Sequence, residues 1–237
     1  MANSTERMSN SAEAGATGPD VAAARAEALS LIPAGAPAEP PLTERLAALI
    51  TLGCAASPTT LDRDGMRAAA ERALTAGATP DEVHEAVVLV SALGVHALHE
   101  GSRVVAEVLR EHGDPRLTGE PDSRAEALLA PLRGDPYWQR LDDEMPGFLD
   151  ALARLSPEAF AAFRDFCGVP WRSGVLRAKE KELIYLAVDA TPTHRFLPGL
   201  RLHVVNALER GASRAEVVGA LDIAAAAGPS WGIPAAR

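Results

Sequence analysis

The sequence predicts an all-α protein made by tandem duplication of one helical unit, with a helical connector between the two copies. Sliding the chain by 134 residues aligns 42–94 with 176–228 without a gap, and eighteen of the 53 aligned positions are then identical. Apolar residues recur at helical spacing in both copies, and no long stretch alternates with the period of two typical of strands. A shared framework of glycine, proline and apolar residues over this length indicates a duplicated folding unit.

Residues 1–40 are predicted to form a flexible N-terminal arm and linker. Positions 1–18 are rich in Ser, Ala, Gly and Asn and show no apolar period, which is typical of disorder. Asp20 is placed to cap a short helix from Val21 to Leu31, and the proline-rich stretch 33–41 is expected to be stiff. The arm is either dispensable or clasps a partner subunit.

The first copy is predicted to occupy residues 41–113. Thr43 caps its first helix, and a second helix from about 63 to 76 ends at Gly77. The run Thr79-Pro80-Asp81-Glu82 places an N-cap residue, a helix-starting proline and a capping-box glutamate in order, which predicts a third helix reaching Val95. A last helix is expected at 100–111.

The connector, residues 114–170, also has helical periodicity, at 122–132, 135–155 and 156–166. Met145-Pro146-Gly147 is expected to break its middle segment. The second copy, residues 171–237, is predicted to contain helices at 176–190 and 198–210. A third helix should begin at Ser213, because Glu216 completes a capping box, and run to about residue 227.

Composition narrows the classes of function. The formal net charge of −9 argues against nucleic acid and against an anionic membrane surface as partners. No apolar run approaches the about 18 residues that a membrane span needs. The two cysteines are 113 positions apart and no signal-peptide pattern is present, so a reduced, cytoplasmic protein is predicted. A small molecule is the expected partner.

The two copies differ where chemistry would lie. The second copy carries polar side chains at positions where the first has small or apolar ones, which suggests one working site and one structural half. His203 lies at the edge of the apolar stripe of its helix and should point into a helix interface. The substitutions from first copy to second are Ala48 to Glu182, Thr51 to Tyr185, Ala55 to Asp189, Thr60-Leu61 to His194-Arg195, and Ala69 to His203.

The run 200–217, LRLHVVNALERGASRAEV, resembles the signature of the carboxymuconolactone decarboxylase family, and the preceding 176–184, LRAKEKELI, is similar to the opening of that signature. Copy one carries the same frame, so the resemblance covers somewhat over half of the chain. It implies the all-helical fold shared with the alkylhydroperoxidase AhpD. Single-copy members of the family form trimers or hexamers, so a homo-oligomer is expected.

The family has a peroxidase branch with a Cys-x-x-Cys pair that ends four residues before the histidine. Phe196 and Gly199 occupy those positions here, and Asp62 and Gly65 occupy them in the first copy. A disulfide-cycling peroxidase needs a thiolate and a resolving thiol within bonding distance. Cys54 and Cys167 stand elsewhere in the chain, so a thiol peroxidase is not expected.

The decarboxylase branch lacks those cysteines. The resemblance therefore implies a cofactor-independent lyase, or a related isomerase, acting on a small carboxylated lactone or enol acid. The Ala- and Arg-rich composition suggests a bacterial source. His203 is the predicted general acid, because imidazole titrates near neutral pH, and Glu182 would orient or polarise it. Arg201 or Arg195 would bind the substrate carboxylate, and Tyr185 and His194 would donate to the lactone oxygen.

Each assignment has a structural alternative. Arg201 is matched by Arg67 in the first copy and could be an ion-pair partner; His203 could be a satisfied core histidine. Glu182 could simply favour the helix dipole, and His194 could be a turn residue facing solvent.

Two further features of the sequence bear on the site. The pair His96 and His99 has the spacing of metal ligands, but no zinc signature matches, so no metal and no cofactor are predicted, and His96 is expected to line a pocket between the copies. Trp231 could form a wall of a substrate pocket. The competing hypothesis is a non-catalytic homologue that serves as an assembly or binding subunit. An enzyme should bring His203 and Glu182 together in one pocket, and a scaffold should keep them apart.

Overall fold

The computed structural model describes residues 21–228, a range that contains twelve α-helices and no strand. Three short 3₁₀ segments lie at Ala92–Gly94, Pro115–Leu117 and Ala130–Leu132. The prediction of an all-α fold is confirmed. The helices are α1 Val21–Ser30, α2 Glu44–Ala56, α3 Arg63–Thr75, α4 Pro80–Ser91, α5 Val95–Glu111, α6 Ser123–Leu129, α7 Pro136–Glu144, α8 Phe148–Leu155, α9 Pro157–Ser173, α10 Ala178–Asp189, α11 Leu197–Glu209 and α12 Arg214–Ala226.

The helices α2, α3 and α4 recur as α10, α11 and α12, and each pair begins at positions 134 residues apart. The turns recur as well. Leu61 and Arg195 both have left-handed backbones, with φ of 47° and 51°, although neither is glycine. Gly77 and Gly211, with φ of 91° and 84°, end the second helix of each set, where a side chain would be strained.

The two sets of three helices pack reciprocally. The first helices, α2 and α10, contact each other, and each also packs against the third helix of both sets. Thr59 and Thr193 occupy equivalent positions, and their hydroxyl oxygens lie 3.3 Å apart where the two sets meet. The ion pair of Arg45 with Glu82 recurs as Lys179 with Glu216. The packing is therefore close to two-fold symmetric, while an origin by duplication and the boundaries of the four segments stay predictions.

Two main hydrophobic clusters form the interior. The larger one joins the two sets of helices and α1 and is built mainly from Ala, Leu and Val, with Leu49, Ile50, Leu183 and Ile184 fully buried. The second lies among the connector helices, where Phe148 and Phe160 are fully buried, and reaches α11 through Leu202. The connector thus has its own core and packs against the second set of helices.

Helix ends depart from the sequence predictions in two places. The third helix of the first copy ends at Ser91, and a 3₁₀ turn leads into α5, which begins at Val95 rather than at residue 100. Helix α9 continues to Ser173 instead of ending at 166; it includes Pro170 and ends at Gly174, whose φ of 71° suits a helix C-terminus. The predicted break is confirmed, since α7 ends at Glu144 and α8 starts after Gly147, with φ of 79°.

The described part of the predicted arm packs against the second copy. Helix α1 buries Ala24 and Ala28, and Arg25 forms an ion pair of 2.6 Å with Asp222. The carbonyl of Pro37 accepts a hydrogen bond of 2.7 Å from the backbone N–H of Arg214, at the start of α12. Among residues 21–228, no helix is both long and apolar enough to cross a membrane.

Candidate active site

A cavity of about 270 Å³ lies between α5, the connector helices and the second set of helices. Aromatic and apolar side chains form most of its wall, and polar residues line it from α5, the start of α7, α9, α10, α11 and the residue that follows α11. The residues that line it are Ala92, Leu93, Val95, His96, His99, Asp135, Tyr137, Trp138, Leu141, Met145, Phe163, Arg164, Cys167, Gly168, Trp171, Tyr185, Phe196, Gly199, Leu202, His203 and Arg210.

His203 and Glu182 form a hydrogen-bonded pair at the wall of this cavity. Helices α10 and α11 pack side by side, and their spacing places Nδ1 of His203 2.7 Å from Oε2 of Glu182. The Glu182 side chain is fully buried, and its other oxygen accepts a hydrogen bond of 3.2 Å from Nε of Arg210. The Glu182 carboxylate is thus held between the guanidinium of Arg210 and the imidazole of His203. Of these three residues, His203 and Arg210 line the cavity and Glu182 does not.

The surroundings of His203 favour its charged form. Burial alone would lower its pKa, but the hydrogen bond that Nδ1 donates to Glu182 and the negative charges of Glu182 and Asp189 together outweigh burial, so the pKa of His203 is raised. The ring stacks on Tyr185, with centroids 4.7 Å apart and planes 17° from parallel. An imidazolium fixed in this way can deliver a proton to a molecule in the cavity.

A second polar cluster joins α5, α10 and the turn between α10 and α11. Nδ1 of His96 lies 2.7 Å from Nε2 of His194, and Oδ1 of Asp189 lies 3.9 Å from the first nitrogen and 3.7 Å from the second. Asp189 is fully buried, and neither of its oxygens has a hydrogen-bond partner among the described residues. Gly199 is required beside it, because a Cβ there would collide with Oδ2 of Asp189.

Burial dominates the protonation of this cluster. Burial raises the pKa of Asp189 to about 7, although the nearby charge of His203 by itself would lower that pKa. It lowers the pKa of His96 to about 2, helped by the neighbouring histidines, and it also lowers the pKa of His194. Both imidazoles are therefore neutral at physiological pH.

His99 is the remaining histidine of the cavity. It is buried, its pKa is lowered to about 4 chiefly by burial, and neither ring nitrogen has a hydrogen-bond partner among the described residues. Its ring packs edge-on against Phe148 at 4.4 Å and Phe163 at 5.5 Å.

Comparisons with known proteins identify relatives of this chain. A model of the carboxymuconolactone decarboxylase family matches residues 157–237. A crystal structure from Burkholderia xenovorans LB400, of a candidate gamma-carboxymuconolactone decarboxylase subunit, is similar to this chain with 38% identity and a TM-score of 0.66. The similarity covers 77% of this chain and 71% of the other.

The chain belongs to the carboxymuconolactone decarboxylase family. The family resemblance and the AhpD-like helical fold predicted from the sequence are confirmed, and a decarboxylase-like function is supported at the level of the family. No curated protein matches the chain.

The cysteines of this family member do not form a redox pair. Cys54 is buried in the larger hydrophobic cluster and Cys167 lies against the second one. Both are free, and burial raises the pKa of Cys54 to about 12 and that of Cys167 to about 11. Thiolates are therefore disfavoured near neutral pH.

The structure brings several of the predicted site residues together. His203, Tyr185 and His96 line the cavity, Glu182 pairs with His203, and His194 lies behind His96.

Other predicted residues lie elsewhere. Arg201 is absent from the cavity wall and forms ion pairs with Glu27 at 2.7 Å and Glu144 at 2.5 Å. Arg195 is exposed and does not line the cavity either. Trp231 lies outside the described residues.

Three residues of the site were not among the predicted site residues. The difference between Ala55 and Asp189 was one of those between the copies, but no role was assigned to Asp189. Arg210 stands where the first copy has Ala76, which is a signal of the same kind. His99 lies beyond the aligned range 42–94, and the signal for it in the sequence was its spacing from His96.

Proposed function

We propose that this cavity is the active site of a decarboxylase-type lyase that acts on a small carboxylated lactone or enol acid, with His203 as general acid–base. The observation that carries the proposal is the 2.7 Å pair of His203 and Glu182 at the wall of a small, mostly apolar cavity. A cavity of about 270 Å³ suits a small metabolite rather than a macromolecule.

Decarboxylation requires a proton donor near the carbon atom that loses the carboxylate. When the C–C bond to the carboxylate breaks, CO₂ leaves and the electron pair passes into the conjugated carbonyl, which forms a dienolate. The imidazolium of His203 then protonates the carbanionic carbon, and solvent restores the proton on the imidazole. Glu182 keeps His203 oriented and favours its protonated form, so that the acid is ready when the charge develops.

Arg210 is the proposed anchor for the substrate carboxylate. The sequence pointed to Arg201 or Arg195 for this role, but Arg210 is the one of the three that lines the cavity. Its Nε holds Glu182, and its guanidinium lies over the ring of Trp171, 5.3 Å from the centroid. Fixed in this way, it can bind a carboxylate beside His203 at little conformational cost.

The apolar wall would favour loss of CO₂. Phe163, Trp138 and Trp171 line the cavity, and a substrate that displaced water from this wall would have a less stable localised carboxylate relative to the delocalised transition state. Tyr185, stacked on His203, lines the same wall and is the proposed donor to the lactone or enol oxygen.

The test is a panel of carboxylated lactones and enol acids offered to the full-length protein, with CO₂ release and substrate consumption followed together. We expect one member to release CO₂ and His203→Gln to release it at least about 100-fold more slowly. His112→Gln, which changes an exposed histidine at the end of α5, serves as the control.

Other outcomes are informative. Consumption without CO₂ that still requires His203 would replace the lyase with the related isomerase. Binding without any turnover would favour the non-catalytic binding subunit, and equal rates in His203→Gln and wild type would overturn the role of His203.

A further inference from the structure

We propose that His96, Asp189 and His194 form a binding site for one divalent transition-metal ion of the class of zinc, beside the cavity. The inference goes beyond the proposed function, which uses His203, Glu182 and Arg210. The sequence had suggested only the pair His96 and His99 as ligands, and the fold instead joins His96 to two residues of the second copy.

The distances fit a metal ion. The three candidate donor atoms, Nδ1 of His96, Nε2 of His194 and Oδ1 of Asp189, are separated by 2.7, 3.7 and 3.9 Å. A point equidistant from them in their common plane lies about 2.0 Å from each. Zinc binds imidazole nitrogen and carboxylate oxygen at about 2.0–2.2 Å. Binding of an ion would replace the hydrogen bond between the two imidazoles and move them apart, because tetrahedral ligands at this distance from an ion lie about 3.3 Å from one another.

The donor set is also suited to such an ion. Two imidazole nitrogens and one carboxylate oxygen are the ligands of many catalytic zinc sites, which keep a further position open. Imidazole binds a metal ion through a ring nitrogen that carries no proton.

Asp189 supplies an independent argument. A fully buried carboxyl group is normally paired or hydrogen-bonded, because an isolated charge in the interior is costly. Neither oxygen of Asp189 has such a partner among the described residues, and its distances of 3.7 and 3.9 Å to the histidines exceed a hydrogen bond. A divalent cation at the equidistant point would satisfy the carboxylate that the protein alone leaves unpaired.

The site belongs to the second copy and to α5. The first copy has Ala55 and Thr60 at the positions of Asp189 and His194, so it offers neither ligand. His96 lines the cavity, so an ion that it holds lies at the cavity wall. The open position would then accept an oxygen anion, such as a carboxylate, an enolate or hydroxide.

The experiment is a titration of chelator-treated, full-length protein with ZnCl₂ by calorimetry and with CoCl₂ by visible absorption. We expect one equivalent to bind, ligand-field bands from cobalt, and a melting temperature that rises with zinc concentration. Asp189→Asn and His194→Gln should each weaken zinc binding by more than about 100-fold. Loss of a residue that only supports a ligand weakens binding by up to about that factor. His99→Gln, a neighbouring buried histidine, is the matched control and should bind zinc like the wild type.

Misfolding cannot imitate this pattern. Asp189→Asn keeps the shape of the side chain and removes an unpaired charge, so its metal-free form should melt at or above the temperature of the metal-free wild type. Wild type that binds no zinc, or Asp189→Asn and His194→Gln that bind it as tightly as wild type, would overturn the metal site. Either result would leave the proposed role of His203 untouched, because that role is tested separately by the release of CO₂.

Discussion

The two sets of three helices have the same architecture and different interiors. Helix α2 buries Ala48 and Ala55 where α10 buries Glu182 and Asp189, yet both helices begin at equivalent positions and pack in the same way. The fold therefore does not need the polar residues of α10. Because the equivalent helix has alanine at both positions, the two buried carboxylates are better explained by a role in a functional site than by a contribution to stability.

The comparison also shows that the site is shared. The first copy continues past α4 into α5, which supplies His96 and His99 to the cavity of the second copy, and the connector adds Trp138 and Phe163. The first copy thus contributes to the site through α5, which lies beyond the aligned range 42–94. The predictions below separate residues that hold the halves together from residues that act in the cavity.

The largest expected effect is on stability and comes from a buried ion pair between the halves. Nζ of Lys181 lies 3.1 Å from Oε1 of Glu85, with side chains 3% and 6% exposed, and the equivalent positions are Ala47 and Gly219. Glu85→Ala should reduce the free energy of unfolding by about 3–5 kcal/mol, because Lys181 is left charged and buried. Urea denaturation measures this. A loss below about 1 kcal/mol would show that the pair does not hold the halves together.

The next effect is on activity. Glu182→Gln keeps a hydrogen-bonding side chain beside His203 but removes the charge that raises its pKa. A general acid is active when protonated, so activity is lost as pH rises through the pKa of His203. The variant should lose activity at lower pH than the wild type and react about 10- to 100-fold more slowly at neutral pH.

The pH profile of kcat/KM for the substrate identified in the panel is the measurement for Glu182→Gln. An unchanged alkaline limb in the variant would mean that another group supplies the proton.

A smaller effect is expected from copying the histidine into the first half. Ala69 is equivalent to His203 and is 3% exposed. Ala69→His should create no second site, since Ala48 stands where Glu182 would be, and overpacking should destabilise the protein by about 1–3 kcal/mol. Thermal unfolding and CO₂ release are the measurements. A gain in activity would contradict the division into one working and one structural half.

The smallest effect is predicted for Arg201, which the sequence proposed as a substrate ligand. Its partly exposed ion pairs with Glu27 and Glu144 are each worth about 1 kcal/mol or less. Arg201→Ala should change stability by about that amount and leave KM within about twofold of wild type. Arg67→Ala, at the equivalent exposed position of the first copy, is the matched control. A large rise in KM for Arg201→Ala alone would restore the role that the sequence assigned to it.

The sequence predicted the fold well because its signals are local. Caps such as Thr79 and Ser213, stops such as Gly77 and Gly211, and apolar spacing all act within a few residues. The comparison of copies also pointed to His203 and Glu182, because both replace alanine. The rest of the site depends on packing between distant segments. Nothing local places His96 beside His194, 98 positions away, or leaves Arg201 outside the cavity while Arg210 lines it.

The central claim is that the cavity of the second half is the working site and that His203 acts in it. The most direct test is an NMR titration of the six histidines of isotope-labelled protein with carboxylated lactones and enol acids, followed across pH. The account predicts that a binding ligand shifts the His203 ring resonances most and that His84 and His112, which do not line the cavity, stay unchanged. A ligand that binds without shifting His203, or that shifts His84 or His112 more, would contradict it.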